Sequence, residues 1–275
     1  MKKISIGEIS ISIPDGHQLA EMYAACPTYD FLPWKTIRKI LLVNDLLHVD
    51  MIDIGANIGD GVAHYRGFSK GKIVCVEADK NFFEILKENT NQFQDIVTVN
   101  KLACPSHLVQ KVKFSSGSRT GATTVVEKYE DAWRGDSITT EAILDQVRDN
   151  FVFKTDTDGF DAEIVKDLDR VLSARIERPS VVFFEGADSQ QMLAKQYLPF
   201  VEATALLQRR GYEVLILTNY GIPFVYAGTS PSVVRSAFDG LALGYKMKRA
   251  CCHYFDLMAV REDLITDSIR SGFEF

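Results

Sequence analysis

The chain opens on a strict alternation. Ile4, Ile6, Ile9, Ile11 and Ile13 are spaced by other residues around Gly7-Glu8. A period of two marks strands with one buried face, so the pattern predicts a β-hairpin closed by Pro14-Asp15-Gly16. A helical stretch near Gln18–Ala25 and the turn-rich Cys26-Pro27-Thr28-Tyr29-Asp30 follow. Residues 1–33 are read as a small N-terminal cap on a main domain, 34–275, which begins with the helically spaced Trp34, Ile37, Ile40 and Leu41.

The rhythm then changes to alternating strands and helices. Strands are expected at His48–Ile54, Lys72–Glu77, Val97–Leu102, Phe151–Asp156, Ser180–Glu185, Glu213–Thr218 and Tyr254–Val260. Helices are expected at Asp60 to about Phe68, Asn81–Asn91, Asp161–Leu172 and Gln190–Arg210. Such alternation predicts an α/β fold: a doubly wound, Rossmann-like parallel sheet with helices on both faces. Two inserts break it. Residues 107–136 hold a Ser/Gly-rich run, with Val112–Phe114 and Thr123–Val126 as a strand pair. Residues 219–252 are expected to be irregular, because they carry Pro223, Gly228, Pro231 and Gly240. Long loops in compact domains often serve a site, so both are candidate substrate-facing loops, with plain surface loops as the other reading.

The 275 residues carry 31 Lys plus Arg against 37 Asp plus Glu, a net charge of −6. That acidic balance lacks the electrostatic footprint of a nucleic-acid-binding protein. The five cysteines include no CxxC, which points away from a disulfide framework and toward a reducing compartment. No apolar run approaches a membrane span or a signal core. The expectation is a soluble, cytoplasmic protein whose partner is a small molecule, with a homo-oligomer left open.

The sharpest motif is Asp53-Ile54-Gly55-Ala56-Asn57-Ile58-Gly59-Asp60-Gly61, at a strand-to-helix turn. Doubly wound folds bind nucleotide-type ligands there. Against the dinucleotide pattern GxGxxG, Asn57 stands where bare backbone would approach a pyrophosphate. Asp60 puts negative charge where phosphate would sit. Both disfavour a nicotinamide-dependent oxidoreductase and suit a phosphate-free, cationic ligand such as S-adenosylmethionine. The alternative is a tight turn with Asp60 as a helix cap. Glu77, 24 residues after Asp53, ends the next strand, where an acid can accept hydrogen bonds from ribose hydroxyls.

These two motifs resemble those of class I S-adenosylmethionine-dependent methyltransferases. A third, Lys154-Thr155-Asp156-Thr157-Asp158-Gly159-Phe160-Asp161-Ala162-Glu163, resembles the K-I-D-V-E-G-A-E block of the FkbM-type members. Glu77-Ala78-Asp79-Lys80-Asn81-Phe82 with Leu86 and Asn89, Ile143-Leu144-Asp145, and Val181-Val182-Phe183-Phe184-Glu185 resemble further elements in the same order. The resemblance covers about residues 48–189. Asp158 and Asp161 stand where that family has Glu, and Ala78-Asp79 where it has Pro-Asn.

The resemblance implies methyl transfer to a hydroxyl of a saccharide, glycan precursor or similar metabolite, with S-adenosylmethionine as cofactor. A non-catalytic cofactor-binding module is the rival from another class. Asp53, Gly55, Asn57 and Gly59 are expected to shape the methionine side, Glu77 to hold the ribose, and Ala103 or a residue just beyond it to line the adenine slot, with Ala56, Asp60 and Ala78 as further cofactor-binding positions. A hydroxyl needs a base or a metal to take its proton. Asp156, Asp158, Glu185 and His253 are the candidates for acceptor orientation or proton removal. Asp156, Asp158, Asp161 and Glu185 also admit a hard cation such as Mg²⁺, and Asp158 and Asp161 are equally suited to capping the following helix. Lys154 is read as an ion-pair partner of one of these acids or as a snorkelling side chain. His64 is read as facing the ligand or as packed. Tyr220, Phe224, Tyr226 and Tyr245 are read as sugar-stacking rings or as packing.

Overall fold

The computed structural model describes residues 1–26, 29–108, 112–116, 123–127, 137–157 and 159–270. The first hairpin forms as expected, β1 (Lys2–Ile6) against β2 (Ile9–Ile13), with Ile4 opposite Ile11. Its isoleucines bury against Leu19 of α1 (Leu19–Ala25) and against Ile58 and Ala63. Asn89 pins this cap to the main body. Its side chain accepts the Ser12 N–H (2.7 Å) and donates to the carbonyls of Ser12 (2.9 Å) and Ile58 (2.7 Å).

The apolar stripe Trp34, Ile37, Ile40 and Leu41 lies on the buried face of α2 (Phe31–Val43). The elements after it are β3 (Met51–Ile54), α3 (Asp60–Arg66), β4 (Ile73–Val76), α4 (Lys80–Thr90), β5 (Ile96–Val99) and the short β6 (Leu102–Ala103). The insert contains an antiparallel pair, β7 (Val112–Ser116) with β8 (Thr123–Glu127), where the sequence pattern puts one. Next come β9 (Ser137–Ile138), α5 (Thr140–Leu144), β10 (Phe151–Thr155), α6 (Asp161–Leu172), β11 (Pro179–Glu185), α7 (Ser189–Leu193) and α8 (Leu198–Arg209). The chain continues through β12 (Tyr212–Thr218), β13 (Pro223–Gly228), α9 (Pro231–Lys246), β14 (Phe255–Arg261) and α10 (Asp267–Arg270).

The central sheet runs β13-β12-β14-β11-β10-β3-β4-β5. Strands β5, β4, β3, β10 and β11 are parallel, and their near-continuous apolar sequences reflect helices on both faces. The sheet is mixed rather than wholly parallel. Strand β14 lies antiparallel between β11 and β12, and β13 is an antiparallel edge. The β3/β10 boundary is where sheet order reverses relative to chain order, the point at which open α/β sheets form a ligand crevice. Apolar layers cover both faces of the sheet: one contains Phe151, Phe153 and Phe184, the other Met51, Val152 and Val181.

Two expectations are corrected. The helix foreseen at Gln190–Arg210 is two helices, α7 and α8, because the chain turns through Lys195 at φ +60° and Pro199 opens a new first turn. Residues 219–252 are not an irregular loop. They hold the edge strand β13 and the 16-residue α9. Pro231 sits in the first turn of α9, where its missing N–H costs nothing, and Gly240 lies within the helix. Among the described residues no helix is long and apolar enough to cross a membrane.

Candidate active site

Strand β3 ends in a turn that only special residues can make. At Gly55 φ is +71°, and a Cβ there would lie 1.8 Å from the Asp156 carbonyl oxygen at the end of β10. The backbones of the two strand ends pass this closely because Gly55 has no side chain. Asn57 (φ +47°) and Gly59 (φ +89°) complete the turn, and Asp60 begins α3. The Asn57 N–H donates to Glu77 Oε2 (2.8 Å), and the Asp79 N–H donates to Oε1 (2.7 Å). Glu77 thus ties the β3 turn to the end of β4. Burial raises its pKa to about 7, against the pull of those two donors.

A cavity of ≈ 330 Å³ opens at this end of the sheet, within the range of small-ligand sites. Of the residues expected from the sequence, Gly55, Asn57, Asp60, Glu77, Ala78, Ala103, Asp156 and Glu185 line it together. Ala78, Leu102, Ala103 and Phe160 give an apolar stretch beside Glu77. Asp60, Asp156 and Glu185 give an acidic one.

Other expectations fall elsewhere. Asp53 is fully buried and does not line the cavity. Its register partner across β3/β10 is Lys154, whose Nζ sits 3.0 Å from Asp53 Oδ1 and 3.4 Å from Asp156 Oδ2. The ion-pair reading of Lys154 therefore holds, and Asp53 sits behind that lysine rather than in the cavity wall. Ala56 belongs to the core, and Gly59 packs against Leu86. His253 is exposed and lies outside the lining, because β14 starts two residues later and its own N–H is held by Asn219 Oδ1 (3.0 Å). His64 is buried, hydrogen-bonded to the Tyr23 hydroxyl (2.7 Å) and stacked on Trp34. Asp161 organises the turn after β10, accepting from the Thr155 hydroxyl (2.7 Å) and the N–H groups of Thr157 (3.1 Å) and Gly159 (3.3 Å). Asp158 lies outside the described residues, as do residues 109–111, 117–122 and 128–136 of the first insert. Tyr220, Phe224, Tyr226 and Tyr245 are absent from the lining, and Phe224 packs on Phe255.

Several lining residues were not foreseen. His17, Leu19 and Met22 come from the cap. Tyr29 and Asp30 come from the turn before α2, where Asp30 adopts φ +59°. Tyr254 comes from just before β14. A smaller niche of ≈ 30 Å³ shares Tyr29, Asp30, Asp60, Lys154, Asp156, Glu185 and Tyr254 with the main cavity and adds Asp256 of β14. The signal for Asp256 was visible: an acid inside the otherwise apolar run Phe255–Val260.

The acids crowd one another. Burial, then the carboxylates of Asp60 and Asp156, raise Asp30 to about 8. Burial, then Asp30 and Asp156, lift Asp256 well above the carboxylate range. Burial also raises Asp60, and it raises Asp53 to about 6. Burial disfavours the Lys154 ammonium too, but Asp53, Asp156 and Asp60 outweigh it and hold the lysine charged. Among the described residues no group of three or more His, Cys, Asp or Glu side chains is arranged to hold a metal ion.

No protein-family model matches the chain, and no curated protein matches it in sequence. Solved structures match it in arrangement. An O-methyltransferase from Bacillus cereus, in complex with SAH, is 14% identical, with TM-score 0.46, over 91% of this chain and 92% of the other. Fibrillarin from Aeropyrum pernix, with natively bound S-adenosyl-L-methionine, is 11% identical, with TM-score 0.41, over 82% and 76%. Precorrin-6y C5,15-methyltransferase from Geobacter metallireducens is 13% identical, with TM-score 0.37, over 78% and 82%. Likenesses this distant leave the chemistry to be derived from the side chains themselves.

Proposed function

We propose that this chain is an S-adenosylmethionine-dependent methyltransferase that methylates a hydroxyl of a saccharide, glycan precursor or similar small metabolite. The observation that carries the reading is the joint lining of one cavity by Gly55 and Asn57 of the β3 turn, by Glu77 at the end of β4 and by the carboxylates Asp60 and Asp156. A wall of carboxylates suits a ligand with a sulfonium and an ammonium and repels a pyrophosphate. The nicotinamide alternative is disfavoured on the same ground.

The residues fit the cofactor part by part. Glu77 keeps lone pairs for ribose hydroxyls beyond the two backbone donors it already satisfies. Ala78, Leu102, Ala103 and Phe160 form a slot for a flat base. Asp60 and Asp156 face the cationic end. When bound, S-adenosylmethionine supplies a methyl group activated by the adjacent sulfonium. The chain's own part is to hold the acceptor oxygen in line and to take its proton. Of the candidate bases, Asp156 and Glu185 are described residues that line the cavity for this task. Asp158 is the third candidate, on the strength of the FkbM-like motif. Resemblance to that family favours a saccharide acceptor.

The test is release of S-adenosylhomocysteine from S-adenosylmethionine with a panel of saccharides. Acceptor-dependent release, reduced at least tenfold in D156N or E185Q with folding intact, supports the reading. A protein that binds the cofactor but turns over no acceptor would instead be a cofactor-binding module.

A further inference from the structure

The niche beside the main cavity has a composition that the cofactor does not explain. Its walls carry five carboxylates, Asp30, Asp60, Asp156, Glu185 and Asp256, and one cation, Lys154. The Lys154 charge is already shared between Asp53 and Asp156. Asp256 is only 9% exposed, yet among the described residues its side chain makes no hydrogen bond and no ion pair, and Lys154 acts on it only from a distance. It stands directly opposite Glu185 in the β11/β14 register, which sets two carboxylates side by side on adjoining strands. A buried polar group without a partner is costly, and such groups persist where a ligand supplies the partner.

Three further features define that ligand. The niche, at ≈ 30 Å³ against ≈ 330 Å³ for the main cavity, suits one small head group. Its remaining walls include the aromatic residues Tyr29, Trp34, Phe183 and Tyr254, ring types that can attract a cation. Among the described residues the acids are not arranged as a metal site. Carboxylates interleaved with aromatic rings suit an organic ammonium. None of Glu77, Ala78, Leu102 and Ala103 borders the niche, so it lies to one side of the ribose and adenine positions.

We propose that this niche is the acceptor subsite and that it takes a protonated amine, so that the acceptor is an aminated saccharide whose hydroxyl is the atom methylated. The assignment rests on the methyltransferase reading. The ammonium would fill the niche between Asp256, Glu185 and Asp30, and the sugar ring would extend into the main cavity beside Asp156. The selectivity follows from charge: an ammonium stabilises the ionised forms of Asp256 and Asp30, which otherwise keep their protons, whereas a neutral sugar of the same shape leaves them protonated and an N-acetylated one is both neutral and bulkier.

The experiment compares D-glucosamine with D-glucose and N-acetyl-D-glucosamine, with and without S-adenosylhomocysteine, by saturation-transfer NMR titration of the full-length protein. The expected result is binding of glucosamine at least tenfold tighter than of either neutral sugar, with that preference lost in D256N and reduced in E185Q. D256N should bind S-adenosylhomocysteine as the wild type does, which also verifies its fold. Equal binding of all three sugars, or none of glucosamine, overturns the proposal. Loss of S-adenosylhomocysteine affinity in D256N overturns it as well, because the niche would then hold the cofactor's own ammonium. Mg²⁺ alone displacing glucosamine, with the same dependence on Asp256, would make the niche a metal site. Failure of the wild type to bind S-adenosylhomocysteine is read in its own titration and refutes the cofactor assignment, not the amine preference.

Discussion

Lys154→Met perturbs the buried charge on which the site is built. Asp53 is fully buried, and its Oδ2 has no hydrogen-bond partner, so Lys154 Nζ at 3.0 Å from Oδ1 is the compensation its charge has. Removing one member of a buried pair strands the other and costs about 3–5 kcal/mol. For a chain of this size each kcal/mol lowers Tm by roughly 2–4 °C, which gives a fall of about 6–20 °C. The double variant D53N/K154M no longer carries the stranded charge and should recover about 2 kcal/mol or more. The pH dependence has a definite sign. Burial already raises folded Asp53 to about 6, above its unfolded value, and losing the lysine raises it further. A carboxyl raised in the folded state contributes least stability at high pH, so the K154M deficit grows from pH 5 to pH 8. Urea unfolding of the wild type, the single and the double variants at both pH values measures all of this. A K154M loss below about 1 kcal/mol at pH 8, or a double variant as unstable as the single, would refute the reasoning.

Gly55→Ala should lose at least ~2 kcal/mol or fail to fold, since its Cβ meets the Asp156 carbonyl at 1.8 Å and φ is +71°; Gly240→Ala in α9, with nothing within 4 Å, should gain about 0.5–1 kcal/mol, both read by thermal unfolding. Because burial lifts Glu77 to about 7, affinity for S-adenosylhomocysteine should fall from pH 8 to pH 6 as a proton competes with the ribose hydroxyls. E77Q should bind roughly 10–100-fold more weakly with a flatter profile, checked by calorimetry. Asp30 and Glu77, raised to about 8 and about 7, hold protons that the unfolded chain has released. Wild-type stability should therefore decline as pH rises from 5 to 8, and a Tm that climbs over that window would contradict their burial.

The strand-to-helix turns were legible because their residues leave little choice. Gly55, Asn57 and Gly59 all take positive φ, and the apolar spacing of Asp161–Leu172 matches α6 residue for residue. Helix α9 was missed for an instructive reason. Pro231 and Gly240 look like breakers, yet Val234, Phe238, Leu241 and Ala242 fall on the helical period and form its buried face. The part of the cavity proposed for the cofactor comes from two neighbouring strand ends, so short local motifs reveal most of it. The niche proposed for the acceptor is lined by Tyr29, Asp30, Glu185, Tyr254 and Asp256, which come from three distant segments of the chain and meet through the fold. Placing His253 in the site missed by a few residues. β14 begins at Phe255, and the strand's own register brings Asp256 opposite Glu185. Asp53 was assigned to the ligand because an acid at a strand end looks available, and only the β3/β10 register reveals Lys154 as its partner.

Calorimetric titration of the purified protein with S-adenosylhomocysteine, with NAD⁺ as the control, tests the central claim most directly. Micromolar binding of S-adenosylhomocysteine and no binding of NAD⁺ is the result expected from Glu77, the β3 turn and the acidic wall of Asp60 and Asp156. Binding of NAD⁺ alone, or of neither ligand, would contradict it.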